Sequence, residues 1–338
     1  MSNKASAKGK GVGVLLINLG TPEATDFLSV RRYLQEFLSD RRVVEVPRLI
    51  WWLVLNGIIL TFRPSKSAKA YKAIWNKELD ESPLKTITRA QADALQARFA
   101  NTHPDLIVKW AMRYGRPSLE AGIKGLMREG AERILLVPLY PQYSATTTAT
   151  VIDKAAEALA KMRAQPAIRT LPPFPDDAAY IEALAASVRA QVATLTPQPA
   201  DLLLSFHGLP VAYVEKGDPY RDHCLRTAAA LQKALGWPEA KFHLSYQSRV
   251  GRAEWLTPYT DATVARLARE GVKSLAVVTP GFVADCVETL EEIAIAAGET
   301  FHENGGENFT CLACLNDSDQ GIDMLEVLVR RELSGWIG

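Results

Sequence analysis

One histidine stands at the end of an apolar segment near the middle of the chain. Residues 202–206, LLLSF, are typical of a buried strand, and His207 follows before Gly208 and Pro210 force a turn. In α/β proteins ligands bind at the carboxyl ends of the strands. Histidine titrates near neutral pH and is the commonest metal ligand. His207 is therefore either a core histidine with both ring nitrogens satisfied or part of a ligand site, and its position alone does not separate the two.

An acidic segment follows a second buried strand, at residues 275–279. Asp285, Glu288 and Glu292 are spaced i, i+3 and i+7, which predicts that they line one face of a helix. Acidic residues in a first turn are also favoured by the helix dipole alone. Because parallel strands of one sheet can end as neighbours, we expect Glu288 to face His207 across a crevice. Such a pair could bind a divalent metal weakly or relay protons.

The two halves of the chain share a pattern. LLINLGTP at residues 15–22 resembles LLLSFHGLP at 202–210, and REGAERILLVPLYPQYS at 128–144 resembles REGVKSLAVVTPGFVAD at 269–285. The second pair predicts helix, glycine, buried strand and aromatic loop in each half. Chance similarity between βα units is the alternative. The repeat favours an α/β protein of two doubly wound, Rossmann-like domains, which a length of 338 residues allows.

Composition and missing motifs exclude several classes of function. Lys+Arg number 39 and Asp+Glu 38, so there is no basic excess for nucleic acid. The four cysteines form no disulfide framework, which favours a reducing cytoplasm. Cys311 and Cys314 form a single CxxC pair, which suits a redox site, half of a cluster site or inert buried thiols. No dinucleotide, phosphate-loop or nucleophile-elbow motif is present.

Residues 49–60, LIWWLVLNGIIL, form the most apolar stretch. It is shorter than the about 18–20 apolar residues of a membrane-spanning helix, and we expect Asn56 and Gly57 to break it. It is either a buried core helix or an apolar lip that contacts a flat ligand or a lipid surface. The two adjacent tryptophans favour the lip. The first ten residues, MSNKASAKGK, are expected to form a disordered tail.

Six motifs in order resemble the ferrochelatase family: LLINLGTPE, SDRRVVEVPRLIWW, YPQYSATTT, LLLSFHGLP, YQSRVGRAEWLTPYT and PGFVADCVETLEEI. The resemblance covers the chain from about residue 13 onward. It implies the chelatase-like fold, with two four-stranded parallel sheets and a C-terminal helix that crosses back to the first domain. We expect that domain to comprise residues 11–173 and about 307–338, and the second, which carries the His/Glu site, to comprise residues 174–306.

The resemblance also implies an activity, the insertion of Fe²⁺ into protoporphyrin IX as the terminal step of haem biosynthesis, catalysed by a lyase. His207 matches the family's histidine that binds the metal or accepts pyrrole protons, and Glu288 matches its partner. Asp285 and Glu292 would extend from this pair as a path for the released protons. Because pyrrole N–H groups are very weak acids, binding energy has to bend the macrocycle and expose them.

The porphyrin-binding positions implied by the resemblance come from both halves of the chain. They are Leu19, Arg63, Ser82, Tyr140, Trp255 and Phe282. Trp255 and Phe282 match aromatic walls, and Arg63 and Ser82 fall near positions that meet propionates, for which arginine is well suited. Relatives that act on coproporphyrin tend to carry tyrosine at the position of Leu19, so leucine favours protoporphyrin.

The remaining expectations concern cofactors, partners and location. We expect Fe²⁺ to be a substrate and no cofactor to be tightly bound. No iron–sulfur cluster is expected, because Cys311 and Cys314 stand alone and Ala145 replaces a cysteine of some relatives. We expect protoporphyrin IX and ferrous iron as ligands, no nucleic acid, membrane contact through residues 49–60, and a monomer or weak homodimer. The location would be cytoplasmic and peripheral to the inner membrane. The alternatives are a chelatase for another metal or tetrapyrrole, such as cobalt or coproporphyrin, or a non-catalytic tetrapyrrole carrier.

Overall fold

Two parallel sheets organise the molecule. The computed structural model describes residues 11–251 and 253–337, and the expected tail at residues 1–10 lies outside them. Within this part of the chain, the first sheet has the strand order β2-β1-β3-β4 and the second β6-β5-β7-β8, which confirms the predicted pair of four-stranded parallel sheets. The strands are β1 Gly11–Gly20, β2 Leu106–Tyr114, β3 Ala131–Pro138, β4 Ala167–Thr170, β5 Asp201–His207, β6 Phe242–Gln247, β7 Ser274–Val278 and β8 Asn308–Cys311.

Helices connect the strands and cover both sheets. They are α1 Phe27–Leu38, α2 Arg48–Val54, α3 Leu60–Ile74, α4 Pro83–Ala100, α5 Leu119–Arg128, α6 Thr150–Ala160, α7 Ala178–Ala193, α8 Val211–Glu215, α9 Tyr220–Leu235, α10 Thr260–Arg269, α11 Val287–Thr289, α12 Gly298–Glu303 and α13 Asp319–Glu332. Among the described residues, three segments have the wider π-helical turn: Leu55–Ile59, Ala145–Ala149 and Leu290–Ala297. A short 3₁₀ turn spans Glu239–Lys241.

The core of the molecule extends across both sheets. Strand β1 is apolar on both faces, as a parallel strand covered on both sides requires. Its Leu15 and Ile17 pack beneath α5, whereas Leu16 joins a cluster that also contains Leu204 of β5 and Leu325 of α13. The two domains therefore share one continuous apolar core.

The C-terminal helix returns to the first domain, but later than expected. Helix α13 packs against α4 and α7 and contributes to the shared core. Strand β8, however, pairs with β7 of the second sheet, so the predicted return at about residue 307 is wrong. The strand has only four residues and alternates weakly between apolar and polar side chains, so sequence patterns do not reveal it. The crossing back begins after β8.

Residues 49–60 form a projecting helical segment and not a buried helix. Helix α2 contains no buried residue, and Leu49 is 76% exposed. Asn56 and Gly57 do not end the helix, because they lie in the π-helical turn that continues into α3. No helix among the described residues has the length and apolar character needed to cross a bilayer.

Candidate active site

His207 is the last residue of β5, at the carboxyl edge of the second sheet. The hydroxyl of Tyr220 donates to the His207 carbonyl at 2.9 Å, which fixes the backbone where the strand ends. The imidazole lies edge-on to the Phe282 ring, with 6.3 Å between the ring centroids. Burial lowers the pKa of His207, and the carboxylate of Glu288 opposes this shift. The ring is therefore neutral at neutral pH and able to accept a proton or a metal ion.

Gln247 joins the histidine turn to Glu288. It ends β6 directly opposite His207, and its carbonyl accepts from the N–H of Gly208 at 2.8 Å. Its side-chain Nε2 donates to the Glu288 carbonyl at 2.7 Å, while its Oε1 accepts from the Ser205 hydroxyl at 2.7 Å. The structure thus places His207 and Glu288 on adjacent segments of one sheet edge.

We expect Gln247→Leu to lower kcat by about 10- to 100-fold. The leucine removes the donor that holds the Glu288 backbone, and a small displacement of a reacting group has effects of this order. Gln247→Glu is the matched variant, because it keeps an acceptor for Ser205 but loses the donor to Glu288, and it should show a similar loss. Steady-state kinetics with a thermal melt check this; wild-type kcat in a folded Gln247→Leu protein would contradict it.

Aromatic side chains lie beside His207 and beside the turn that follows it. The loop that carries Trp255 is bonded to the turn after β5, through the N–H of Leu256 and the carbonyl of Leu209 at 3.0 Å. The Trp255 ring lies against Gly208, where an added Cβ would come within 3.1 Å of the indole and 2.6 Å of the Gln247 carbonyl. Glycine is therefore required for this close packing. Phe282 is therefore the aromatic neighbour of the imidazole, and Trp255 packs on the turn that follows it.

The first domain contributes a wall that faces Glu288. A cavity of about 10 Å³, which is space for about one water molecule, is lined by Gly20, Thr21, Tyr71, Ser82 and Glu288, with other residues of the same segments. Ligand pockets typically measure roughly 300–1,000 Å³, so this gap is smaller than a porphyrin. Burial raises the pKa of Tyr71, and the carboxylate of Glu288 adds to the rise. Both tyrosine and glutamate therefore lie on the same enclosed face.

The predicted porphyrin-binding residues of the first domain differ in their surroundings. Arg63 is half-buried and forms no ion pair with another described residue, and burial lowers its pKa. Ser82 is buried as the N-cap of α4, where its hydroxyl accepts from the N–H of Lys85 at 3.4 Å. Leu19 packs beside the aromatic cluster of Tyr33 and Tyr71. Arg63 thus retains free donors that could meet a carboxylate.

Tyr140 and Arg113 lie at the carboxyl ends of β3 and β2. The Tyr140 hydroxyl is buried without a hydrogen-bond partner in the described part of the chain. Burial raises the pKa of Tyr140, and the charge of Arg113 opposes this. Arg113 is buried, pairs with Asp40 and donates to the Thr150 carbonyl at 2.8 Å. Arg113 was not among the predicted site residues, although a charged residue at the end of a buried strand is the same signal that marks His207.

The predicted acidic face does not form as expected. Asp285 precedes α11 and is buried, with its carboxylate bonded to Thr289 and Asn316. Glu292 lies in the π-helical turns, where its carboxylate accepts from the N–H of Ser248 at 2.6 Å. Burial raises the pKa of Glu292, and the Ser248 bonds oppose it. The i, i+3, i+7 prediction fails because Asp285 lies outside the helix and the turns after Thr289 are wider than an α-helix.

Few side chains could hold a metal in place permanently. Among the described residues, no group of three or more His, Cys, Asp or Glu side chains is arranged to bind a metal ion. The cysteines are unpaired; Cys224, Cys286 and Cys314 are buried, and burial raises the pKa of the half-buried Cys311 to about 12. His207 and Glu288 offer two possible ligands at one sheet edge, too few for a permanent metal site.

Comparison with solved structures identifies the fold as that of chelatases. SirB from Bacillus subtilis with Fe³⁺ superposes with a TM-score of 0.57 at 11% identity, covering 96% of this chain and 98% of SirB. The sirohydrochlorin chelatase SirB of Bacillus subtilis subspecies spizizenii, in complex with cobalt, gives 0.54 at 11% identity over 96% of each chain.

Comparison of sequences identifies the family. The family profile described as ferrochelatase matches residues 11–333. A protein named ferrochelatase from Rhizobium meliloti is 59% identical to this chain, and the match covers 96% of each. A protein of the same name from Agrobacterium fabrum is 58% identical, and that match covers 96% of this chain and 94% of the relative. The chain belongs to the ferrochelatase family.

Proposed function

We propose that the protein is a ferrochelatase, a lyase that inserts Fe²⁺ into protoporphyrin IX in the terminal step of haem biosynthesis. The observation that carries this proposal is the pairing of His207 and Glu288 on one sheet edge through Gln247, in a member of this family. The reaction needs a base for the pyrrole protons and a donor pair for the arriving metal. A neutral imidazole beside a carboxylate supplies both.

The surrounding side chains would hold the macrocycle in a bent form. Phe282 lies beside His207 and Trp255 beside Gly208, and both would press on the ring faces. Binding energy from such contacts can be used to expose the pyrrole N–H groups, since a bent ring resembles the transition state. Glu292 is the proposed next proton acceptor after Glu288. Asp285 belongs to the same acidic path in the proposal that the sequence supports.

The first domain would orient the substrate through its carboxylates. Arg63 has guanidinium donors that pair with no other described residue, which suit a propionate. Ser82 lines the cavity beside Glu288, and the Tyr140 hydroxyl has no hydrogen-bond partner in the described part of the chain. Leu19 offers an apolar surface beside Tyr33 and Tyr71. An apolar surface suits the vinyl groups of protoporphyrin better than the additional propionates of coproporphyrin.

Porphyrin fluorescence tests the proposal directly. Protoporphyrin IX and Fe²⁺ are mixed under anaerobic conditions with the protein at about one hundredth of the porphyrin concentration. An enzyme removes nearly all the fluorescence over many turnovers, whereas a carrier quenches only a stoichiometric amount. Parallel reactions with coproporphyrin and with Co²⁺ rank the alternative substrates. A stoichiometric quench, or faster turnover of coproporphyrin, would contradict the proposal.

The absence of an iron–sulfur cluster is part of the same proposal. Cys311 and Cys314 are the sequence pair closest to a cluster motif, and both thiols are protonated at neutral pH because burial raises their pKa values. We expect anaerobically purified protein to be colourless and to contain no bound iron or acid-labile sulfide. A brown protein with visible absorption would overturn this part.

We also propose that helix α2 and the start of α3 contact the inner membrane from the cytoplasm. Trp52 and Phe62 are exposed, the latter by 72%. The neighbouring apolar side chains Leu49, Ile50, Leu53 and Ile58 are each more than half exposed. Contiguous exposed apolar surface of this kind marks an interaction site. A weak homodimer through the same surface is the competing occupant.

We expect the triple variant Leu49→Ser, Trp52→Ser, Leu53→Ser to lose most of its binding to vesicles of phosphatidylethanolamine and phosphatidylglycerol. Each substitution removes an apolar side chain that would otherwise leave water on binding. Ile152→Ser, Leu225→Ser is the matched control, because these exposed residues lie outside the patch. Cosedimentation measures binding, and size-exclusion chromatography shows whether the patch instead joins two copies. Unchanged vesicle binding in the triple variant would contradict the membrane assignment.

A further inference from the structure

The carboxylate of Asp285 is fully engaged by protein donors. Asp285 is 6% exposed. Its Oδ1 accepts from the Thr289 hydroxyl at 2.8 Å and from the Cys314 N–H at 3.4 Å. Its Oδ2 accepts from the side-chain amide of Asn316 at 2.7 Å, while its own N–H donates to the amide oxygen of Asn316 at 2.8 Å. Asp285 and Asn316 therefore form a reciprocal pair, and no bond of Asp285 leads to Glu288 or His207 among the described residues.

This pair holds both ends of the short segment that carries Glu288. The Thr289 hydroxyl, held by Asp285, also accepts from the N–H of Cys286 at 3.0 Å, so the bonds enclose the three-residue helix α11. Glu288 lies in the first turn of a helical segment that continues through the π-helical turns to Glu303, and the N–H groups of a first turn have no partners within the helix. Glu288 therefore owes its position to these bonds on one side and to Gln247 on the other.

The partner residue is itself fixed from two directions. Asn316 has a backbone φ of 50°, in the left-handed region that asparagine tolerates better than most residues. Its carbonyl accepts from the side chain of Gln91 at 2.9 Å, and the same Nε2 donates to the Val283 carbonyl at 3.2 Å. Because Gln91 belongs to α4, the pair ties the Glu288 segment to the first domain.

We propose that Asp285 is a positioning residue, which acts with Asn316 to hold Glu288, and that it does not carry protons. A relay group must exchange its hydrogen-bond partners as protons pass, whereas both oxygens of Asp285 are occupied by fixed donors. The inference rests on the proposed role of Glu288, and it removes Asp285 from the acidic path.

Exchange of the two side chains separates the roles. In Asp285→Asn one bond of the network is lost, because two amides cannot satisfy all the donors; kcat should fall by at least about tenfold. In Asn316→Asp two carboxylates face each other, and a similar loss is expected. The double variant Asp285→Asn, Asn316→Asp restores an amide–carboxylate pair, so kcat should return to within about threefold of wild type. A proton relay predicts that the double variant stays impaired, because asparagine at position 285 cannot carry a proton.

Two further measurements keep the outcome clear if a variant folds poorly. Asn316→Gly suits the left-handed backbone and keeps the carboxylate of Asp285. If Asp285 is a positioning residue, this variant should have a lower kcat with little change in KM for the porphyrin. If Asp285 is a proton relay, kcat should not change. Thermal melting and circular dichroism report folding for every variant. Full activity of Asp285→Asn, or an inactive but folded double variant, would overturn the inference. Full activity of Glu288→Gln would instead refute the role of Glu288.

Discussion

Replacement of His207 by alanine is expected to lower kcat by about 10³-fold while porphyrin binding is largely kept. Removal of a positioned general base typically costs about 10²–10⁴-fold. The aromatic neighbours Trp255 and Phe282 are untouched by the change, as is Arg63, so the ring can still be held. Anaerobic steady-state kinetics measure the turnover, and quenching of Trp fluorescence by protoporphyrin measures the binding.

The control for this experiment is His243→Ala. His243 pairs with Asp201 at 2.8 Å and lies four residues before Gln247 on β6, at the opposite end of the sheet. Its loss should reduce thermal stability without a comparable loss of turnover. If the His207→Ala protein folds and retains wild-type kcat, the imidazole has no part in the chemistry.

Replacement of Glu288 by glutamine should lower kcat/KM for Fe²⁺ by about 10²–10³-fold. Glutamine has nearly the same shape, and the bond from Gln247 is unaffected because it uses the Glu288 backbone carbonyl. What disappears is the negative charge that could bind the cation and attract pyrrole protons. The pKa of His207 should fall further, since the carboxylate opposes the lowering caused by burial.

Glu291→Gln is the matched control for the charge. Glu291 lies three residues further along the same helical segment, and burial raises its pKa. Because no bond links it to His207 or Gln247 in the described residues, we expect its kinetics to stay within a few-fold of wild type. Equal losses in the two variants would mean that the site responds only to total negative charge, and the specific role of Glu288 would be wrong.

Much of the fold was predictable because its elements follow simple periodicities. Buried parallel strands such as β1 and β5 are nearly continuous apolar runs, and the turns after them contain glycine and proline. The ends of parallel strands meet at one edge, which is why His207 and the segment of Glu288 could be expected together. The exposed position of residues 49–60 was also favoured, through its paired tryptophans.

The rest depends on interactions that no local pattern encodes. The π-helical turns after Thr289 change which side chains share a face, and the 3.6-residue period does not anticipate them. The orientation of Asp285 is set by Asn316, a residue 31 positions away. Strand β8 can be recognised as a strand only from its pairing with β7. Tertiary hydrogen bonds therefore decided the details that sequence analysis missed.

The shared core determines how a wide, rigid ligand could enter. To swing the sheets apart would expose Leu16, Leu204 and Leu325 to water, at a cost of about 25 cal/mol for each Å² of apolar surface. Helix α2 contains no buried residue, so its displacement would expose far less apolar surface. The sheets therefore form a fixed frame, and α2 is an element that can be displaced without opening the shared core.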